Sequence, residues 1–111
     1  MLKDETVVKH HLNLLENFNQ ALKGEYGRYP NGVNSKAIPD VLKDYAPVDN
    51  NYKYISKNLD DKNFNNDPTD DSFNSITYII YYDLKIGGQY YYVDSLDQRV
   101  KRSKEIPTLP N

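Results

Sequence analysis

A chain of 111 residues, 38% hydrophobic and 27% charged, fits one domain with a modest core and leaves no room for two. A net charge of −2 provides no basic surplus to neutralise a phosphate backbone, so an obligate nucleic-acid partner is not expected, and the lack of cysteine rules out disulfides, thiol catalysis and thiolate metal sites. Eleven tyrosines make up for the missing aliphatic content, because a large ring with a polar tip suits a thin core under a single sheet.

Residues 4–26 have the spacing of an amphipathic helix. Val8, Leu12, Leu15, Leu22 and Tyr26 recur at intervals of three and four, with polar Asn19 taking one place in the row. Val7, His11, Leu14, Phe18 and Ala21 form a second row beside it, and Lys3, Lys9, Asn13, Glu16, Gln20 and Lys23 occupy the other side. Asp4 and Glu5 would complement the macrodipole in the first turn. The opening "MLKDETVVKHHL" reads as the middle of a helix, so a preceding N-terminal segment is expected in the natural protein. These residues hold neither a secretory-leader pattern nor an apolar run long enough to cross a bilayer.

Gly24 and Gly27 weaken the helix and Arg28–Tyr29–Pro30 ends it. A residue before proline is pushed out of the α region, which predicts an extended Tyr29, and "PNG" adds a turn signal. A short helical turn is predicted over 38–45, with Pro39 at its first position and Ile38, Val41, Leu42 and Tyr45 facing inward.

The second half reads as a β-meander over about 52–96. "YKYIS" (52–56) predicts a short strand and "SITYIIYYDLK" (75–85) a long one, with "GG" at 87–88 turning into a return strand over 89–96. In the long strand Ile76, Tyr78, Ile80 and Tyr82 share one face, and Thr77, Ile79, Tyr81 and Asp83 the other. Three successive tyrosines at 90–92 leave open which of them face the helix. Residues 97–111 read as a polar tail, within which Arg99, Lys101, Arg102 and Lys104 are a solvated basic cluster. The expected class is therefore α+β, a long amphipathic helix packed on an antiparallel sheet of three or four strands. Leu12, Leu15, Phe18, Leu22 and Tyr26 are the expected helix–sheet packing residues.

Chemistry is sparse. Adjacent His10 and His11 point about 100° apart on a helix and cannot easily share an ion, so His11 reads as a packing residue. Ser35, Ser56, Ser72 and Ser75 are available as nucleophiles, but none stands in an elbow motif. No pair of carboxylates is singled out for acid–base work. The polar stretch 58–74 offers Asp60, Asp61, Asp67, Asp70 and Asp71 as hard oxygen ligands for calcium. It lacks the glycine-containing EF-hand pattern, and Asp and Asn also favour loops by bonding their own backbone.

Two stretches carry a family resemblance. "LLENFNQALKGEYGRYP" (14–30) resembles the helix end and G-x-Y-P corner of type IV pilin-like proteins. "DP" at 67–68 followed by "ITYIIYYDL" and "GGQYYYVDSLD" resembles their tyrosine-rich strand, turn and strand. The spacing between helix and "RYP" is compressed, and the family's basic leader and glutamate-containing apolar half-helix are not among these residues. The resemblance implies a structural subunit of a type IV pilus or a secretion pseudopilus, with the sheet domain facing outward. Its partners would be other pilin or pseudopilin subunits, joined through an upstream membrane segment of about 20 apolar residues. Its place would be the bacterial cell surface or envelope, anchored in the inner membrane before assembly. Some type II secretion pseudopilins carry calcium in a β-region loop, which adds weight to calcium at 58–74; no other cofactor is expected, and no enzymatic activity, because no residue singles out a catalytic site. The alternative reading is an extracytoplasmic binding module holding a peptide or glycan on a tyrosine-rich sheet.

Overall fold

The computed structural model describes residues 4–33, 35–58, 73–85 and 89–110. Helix α1 (Glu5–Tyr26) runs for 22 residues. Asp4 caps it, its carboxylate accepting from the Thr6 N–H at 2.8 Å. Gly27 ends it in the left-handed region at φ 86°, where its N–H bonds the Lys23 carbonyl at 2.7 Å and a Cβ would be strained. A short helix α2 (Asp40–Lys43) follows, with Pro39 as its cap and not, as expected, inside its first turn.

Strands β1 (Tyr52–Asn58), β2 (Ser75–Asp83), β3 (Tyr90–Asp94) and β4 (Lys101–Ser103) form one antiparallel sheet in that order. The expected α+β architecture is present. The expected polar tail is corrected at β4, which pairs Tyr91 with Arg102 and Tyr92 with Lys101. It is a short, basic edge strand, built from residues that discourage further strands from adding. The "GG" turn lies outside the described residues.

One face of the sheet carries Tyr52, Tyr54, Tyr78, Ile80, Tyr82, Tyr91 and Val93 into a core with Val8, Leu12, Leu15 and Leu22 of α1. Tyr91 therefore points to the helix face, and Tyr90 and Tyr92 to the other. Ile79 and Tyr81 are buried on that opposite face, so both faces of β2 are covered, apart from Ile76, which is 42% exposed. The first expected row of α1 is buried through Leu22, Asn19 included, but the stripe widens on the other side of it: Glu16, expected on the polar face, is inside, whereas Val7 and Ala21 of the second row are exposed.

Three expected packing residues, Leu12, Leu15 and Leu22, are buried in the helix–sheet core. The other two pack at its margins. The Phe18 ring stacks on Tyr45, just beyond α2, with centroids 3.4 Å apart. Tyr26 stacks on Phe73 at 4.1 Å, immediately before β2. Each finds a flat aromatic partner at the edge of the layer, where a ring stays partly wet.

Candidate functional site

Polar side chains gather in three groups along the contact between α1 and the sheet. The first is a seam of tyrosine hydroxyls under the helix. Tyr52 shares a hydrogen bond with His11 Nδ1 at 3.0 Å. Tyr54 donates to the Pro30 carbonyl at 2.7 Å and accepts from Asn19 Nδ2 at 3.3 Å. Gln20 Nε2 reaches Tyr29 at 3.1 Å and Tyr78 at 3.4 Å. Burial raises the Tyr52, Tyr54 and Tyr78 phenols well above the ordinary tyrosine value, so they remain neutral donors at physiological pH. Burial also raises the Glu16 carboxyl in this layer. Asn19 Oδ1 is buried without a partner among the described residues. The seam thus replaces part of an aliphatic core with matched hydroxyl and amide groups, and it fixes the helix against one register of the sheet.

The second group pins the glycine–tyrosine corner. Tyr29 and Ser75 exchange backbone hydrogen bonds at 2.9 and 3.1 Å, which makes Tyr29 the extended residue its following proline requires. Asn31 Oδ1 accepts from Ser75 Oγ at 2.7 Å and from the Asn74 N–H at 3.0 Å. Arg28 reaches Asn74 at 3.0 Å. The Gly32 N–H lies 2.6 Å from Ser56 Oγ, and a Cβ on Gly32 would sit only 3.0 Å from that same oxygen. Ser56 and Ser75 are 3.0 Å apart, yet no histidine accompanies them. His11 is at Tyr52, four residues along β1 and therefore about 13 Å away. His10 and Ser35 are exposed, and Ser72 lies outside the described residues. The serines act as a clasp that closes the corner.

The third group lies at the opposite end of α1. Lys9 Nζ and Arg102 Cζ stand over the ring of buried Tyr91, 5.0 and 5.6 Å from its centroid. The Arg102 guanidinium donates to Gln89 Oε1. This divides the basic cluster expected to be uniformly solvated. Lys101 is held between Asp94 at 3.8 Å and Asp97 at 3.5 Å, and Arg99 pairs with Asp97 at 3.4 Å. The Arg99 backbone N–H and then its side chain hold Asp97 below the usual carboxylate range. Arg102 and Lys104 meet no carboxylate among the described residues. Lys9 and Arg102 lie at opposite ends of the sequence, so no local motif could have flagged the pair.

The calcium expectation at Asp60, Asp61, Asp67, Asp70 and Asp71 lies outside the described residues. Among the described residues, no group of three or more histidines and carboxylates is placed to hold a metal ion. Nor is any described helix long and apolar enough to cross a membrane. The tyrosine surface expected for a binding module is largely internal: Tyr29, Tyr52, Tyr54, Tyr78, Tyr81, Tyr82 and Tyr91 are all buried. The chain matches no family model, no curated protein and no solved structure.

Proposed function

We propose that this chain is the outward-facing domain of a structural subunit that assembles into a pilin-like filament, a type IV pilus or a secretion pseudopilus. The observation that carries the reading is the way the leading helix is fixed to the sheet. α1 lies across one face of an antiparallel meander, and its C-terminal corner is bonded into the start of β2 through Tyr29 and Ser75. A subunit that assembles through its helix needs that coupling, because force and orientation applied to the helix must reach the sheet domain. The hydroxyl seam and the corner clasp supply it with directional bonds, which a purely aliphatic interface would lack.

The reading places subunit contacts on the exposed flank of α1 and at the two ends of the domain. Antibody raised against residues 1–111 tests it on cells of the source bacterium. Gold label along thin filaments, with the protein recovered in sheared and pelleted filaments, is the expected result. Label confined to the cell interior or to freely secreted protein would overturn it.

A further inference from the structure

The two edges of the sheet differ. The outer side of β1 is closed: the Tyr54 N–H bonds the Lys36 carbonyl at 2.9 Å, and the Gly32 N–H reaches Ser56 Oγ at 2.6 Å. β4 is the other edge, last in the strand order. Which of its backbone groups point outward follows from the residues flanking β3. The Gln89 carbonyl accepts from the Leu84 N–H, and the Ser95 N–H bonds the Tyr78 carbonyl, so odd-numbered residues along β3 bond to β2. Even-numbered Tyr90 and Tyr92 then face β4. Their partners Ser103 and Lys101 bond inward, and Arg102 between them turns its N–H and C=O away from the sheet. No described residue takes up those two groups.

The charge on this edge is one-sided. The Arg102 side chain lies on the helix face opposite Tyr91, its guanidinium 5.6 Å from that ring's centroid and donating to Gln89 Oε1. Those contacts aim the guanidinium without neutralising it. Alternation returns Lys104 to the same face, and Gln89, Arg102, Ser103 and Lys104 line a recess of about 340 Å³. Arg102 and Lys104 are both exposed, and among the described residues neither pairs with a carboxylate, neighbouring Glu105 included. Lys101, which stands over Tyr92 on the other face, is already held by Asp94 and Asp97. Uncompensated positive charge therefore flanks the open backbone on one face only. It repels a second basic strand and favours an acidic one.

We propose that β4 is a docking edge for an extended acidic segment of a partner protein, which adds to the sheet as one more strand. In an antiparallel addition the residue opposite Arg102 exchanges both backbone hydrogen bonds with it. The side chain of that residue lies on the same face, with Cβ atoms about 5 Å apart, and brings a carboxylate to the guanidinium at the mouth of the recess. A second acidic residue two positions away returns to that face about 6.6 Å along the strand, beside Lys104. The recognition pattern is thus an acidic residue at every second position of an extended chain. Backbone bonds supply affinity, and the alternate carboxylates supply specificity. The contact goes beyond the filament reading and does not depend on it. Exposed ion pairs are weak singly and screened by salt, which gives the contact a definite signature.

The experiment titrates the 111-residue chain with the capped peptide TEVEVET by calorimetry, at low salt and at about 0.5 M NaCl, and follows backbone amides by NMR. Binding is expected at low salt and should weaken at least about tenfold at high salt, where the Debye length is only a few ångströms. The Arg102 amide should become protected from hydrogen exchange, because its N–H is then bonded. The reordered peptide TEEEVVT, of identical composition, should bind at least about tenfold more weakly. So should TEVEVET methylated at its glutamate backbone nitrogens, which keeps the charge and removes the donors. These peptide arms use the unaltered protein, so they stand whether or not any variant folds. The double variant Arg102→Glu with Lys104→Glu, with circular dichroism like that of the parent, should lose affinity by a similar factor. Absence of peptide binding overturns the proposal. Equal binding of the reordered or the methylated peptide does so too, because charge alone would then explain the contact. Anionic phospholipid vesicles that bind where the peptide does not would also overturn it. Absence of the protein from filaments bears only on the filament reading and leaves this contact standing.

Discussion

Tyr54→Phe is the sharpest test of the hydroxyl seam. The phenyl ring is preserved, so the packing of Tyr54 against Tyr78 and the helix is unchanged, and only one oxygen is removed. That oxygen donates to the Pro30 carbonyl at 2.7 Å and accepts from Asn19 Nδ2 at 3.3 Å, at a residue with no exposed surface. Its loss strands a buried carbonyl. It also deprives Asn19, whose Oδ1 already lacks a partner among the described residues, of the bond its amide nitrogen makes to this oxygen. A hydrogen bond contributes about 1 kcal/mol net, and a stranded buried polar group costs about 1–3 kcal/mol, so a loss of about 2–4 kcal/mol is expected. Against a total of about 5–15 kcal/mol for a domain of this size, that is a large fraction. Urea denaturation followed by circular dichroism at 222 nm should show the midpoint lowered by about 1–2 M, taking a slope of roughly 2 kcal/mol per M. Tyr92→Phe is the control, because Tyr92 is half-exposed and its hydroxyl makes no hydrogen bond among the described residues. It should change stability by less than about 0.5 kcal/mol. A Tyr54→Phe midpoint indistinguishable from that of Tyr92→Phe would refute the reasoning.

The two helix glycines should respond oppositely to alanine. Gly24 is exposed, with nothing within 4 Å of the place an alanine Cβ would take, so Gly24→Ala should stabilise by about 0.5–1 kcal/mol. Gly27, at φ 86°, should lose about 1–2 kcal/mol, and thermal melts of the pair read both signs. Glu16 provides a pH test. Burial raises its folded-state pKa from 4.5, so the folded chain holds a proton that the unfolded chain has released, and stability falls as pH rises through that window. Glu16→Gln should therefore raise the urea midpoint at pH 7 and have little effect at pH 4; an equal gain at both would contradict the assignment. The buried phenols give the alkaline counterpart. Tyr52, Tyr54 and Tyr78 are raised above the ordinary value of 10.0, so their contribution is intact below that pH and is lost above it. Absorbance at 295 nm should show a lagging class of tyrosines that ionise only as the circular dichroism collapses. A single ordinary titration with the fold retained would exclude that.

The helix was legible because its period is local. Val8, Leu12, Leu15 and Leu22 repeat at the helical spacing, and Asp4 and Gly27 punctuate the ends. Its polar interior was not legible. Glu16 and Gln20 look like surface residues until the fold buries the one and brings Tyr29 of the corner and Tyr78 of β2 to the other, and that placement is set by tertiary packing. Strand β4 escaped for a related reason. "KRS" has no alternating apolar pattern, and its pairing with Tyr90, Tyr91 and Tyr92 exists only once β3 is in place. The same strand carries Arg102 to the Tyr91 ring that Lys9 also covers, so that pair of cations was hidden with it. The glycine–tyrosine corner was readable as a helix stop from Gly27 and Pro30, but its closure by Asn31, Ser56 and Ser75 depends on residues from three separate segments.

The central claim is assembly through the helix, and the lack of native cysteine makes it directly testable. Val7 and Ala21 are exposed and, being 14 residues apart, lie within about 40° of one another around α1. The protein carrying Val7→Cys and Ala21→Cys is expressed in its source cells and treated with a mild oxidant, and the products are separated on a non-reducing gel. The account predicts a ladder of multimers that collapses to one band on reduction. A single monomer band, with both thiols shown to be reactive, would contradict it.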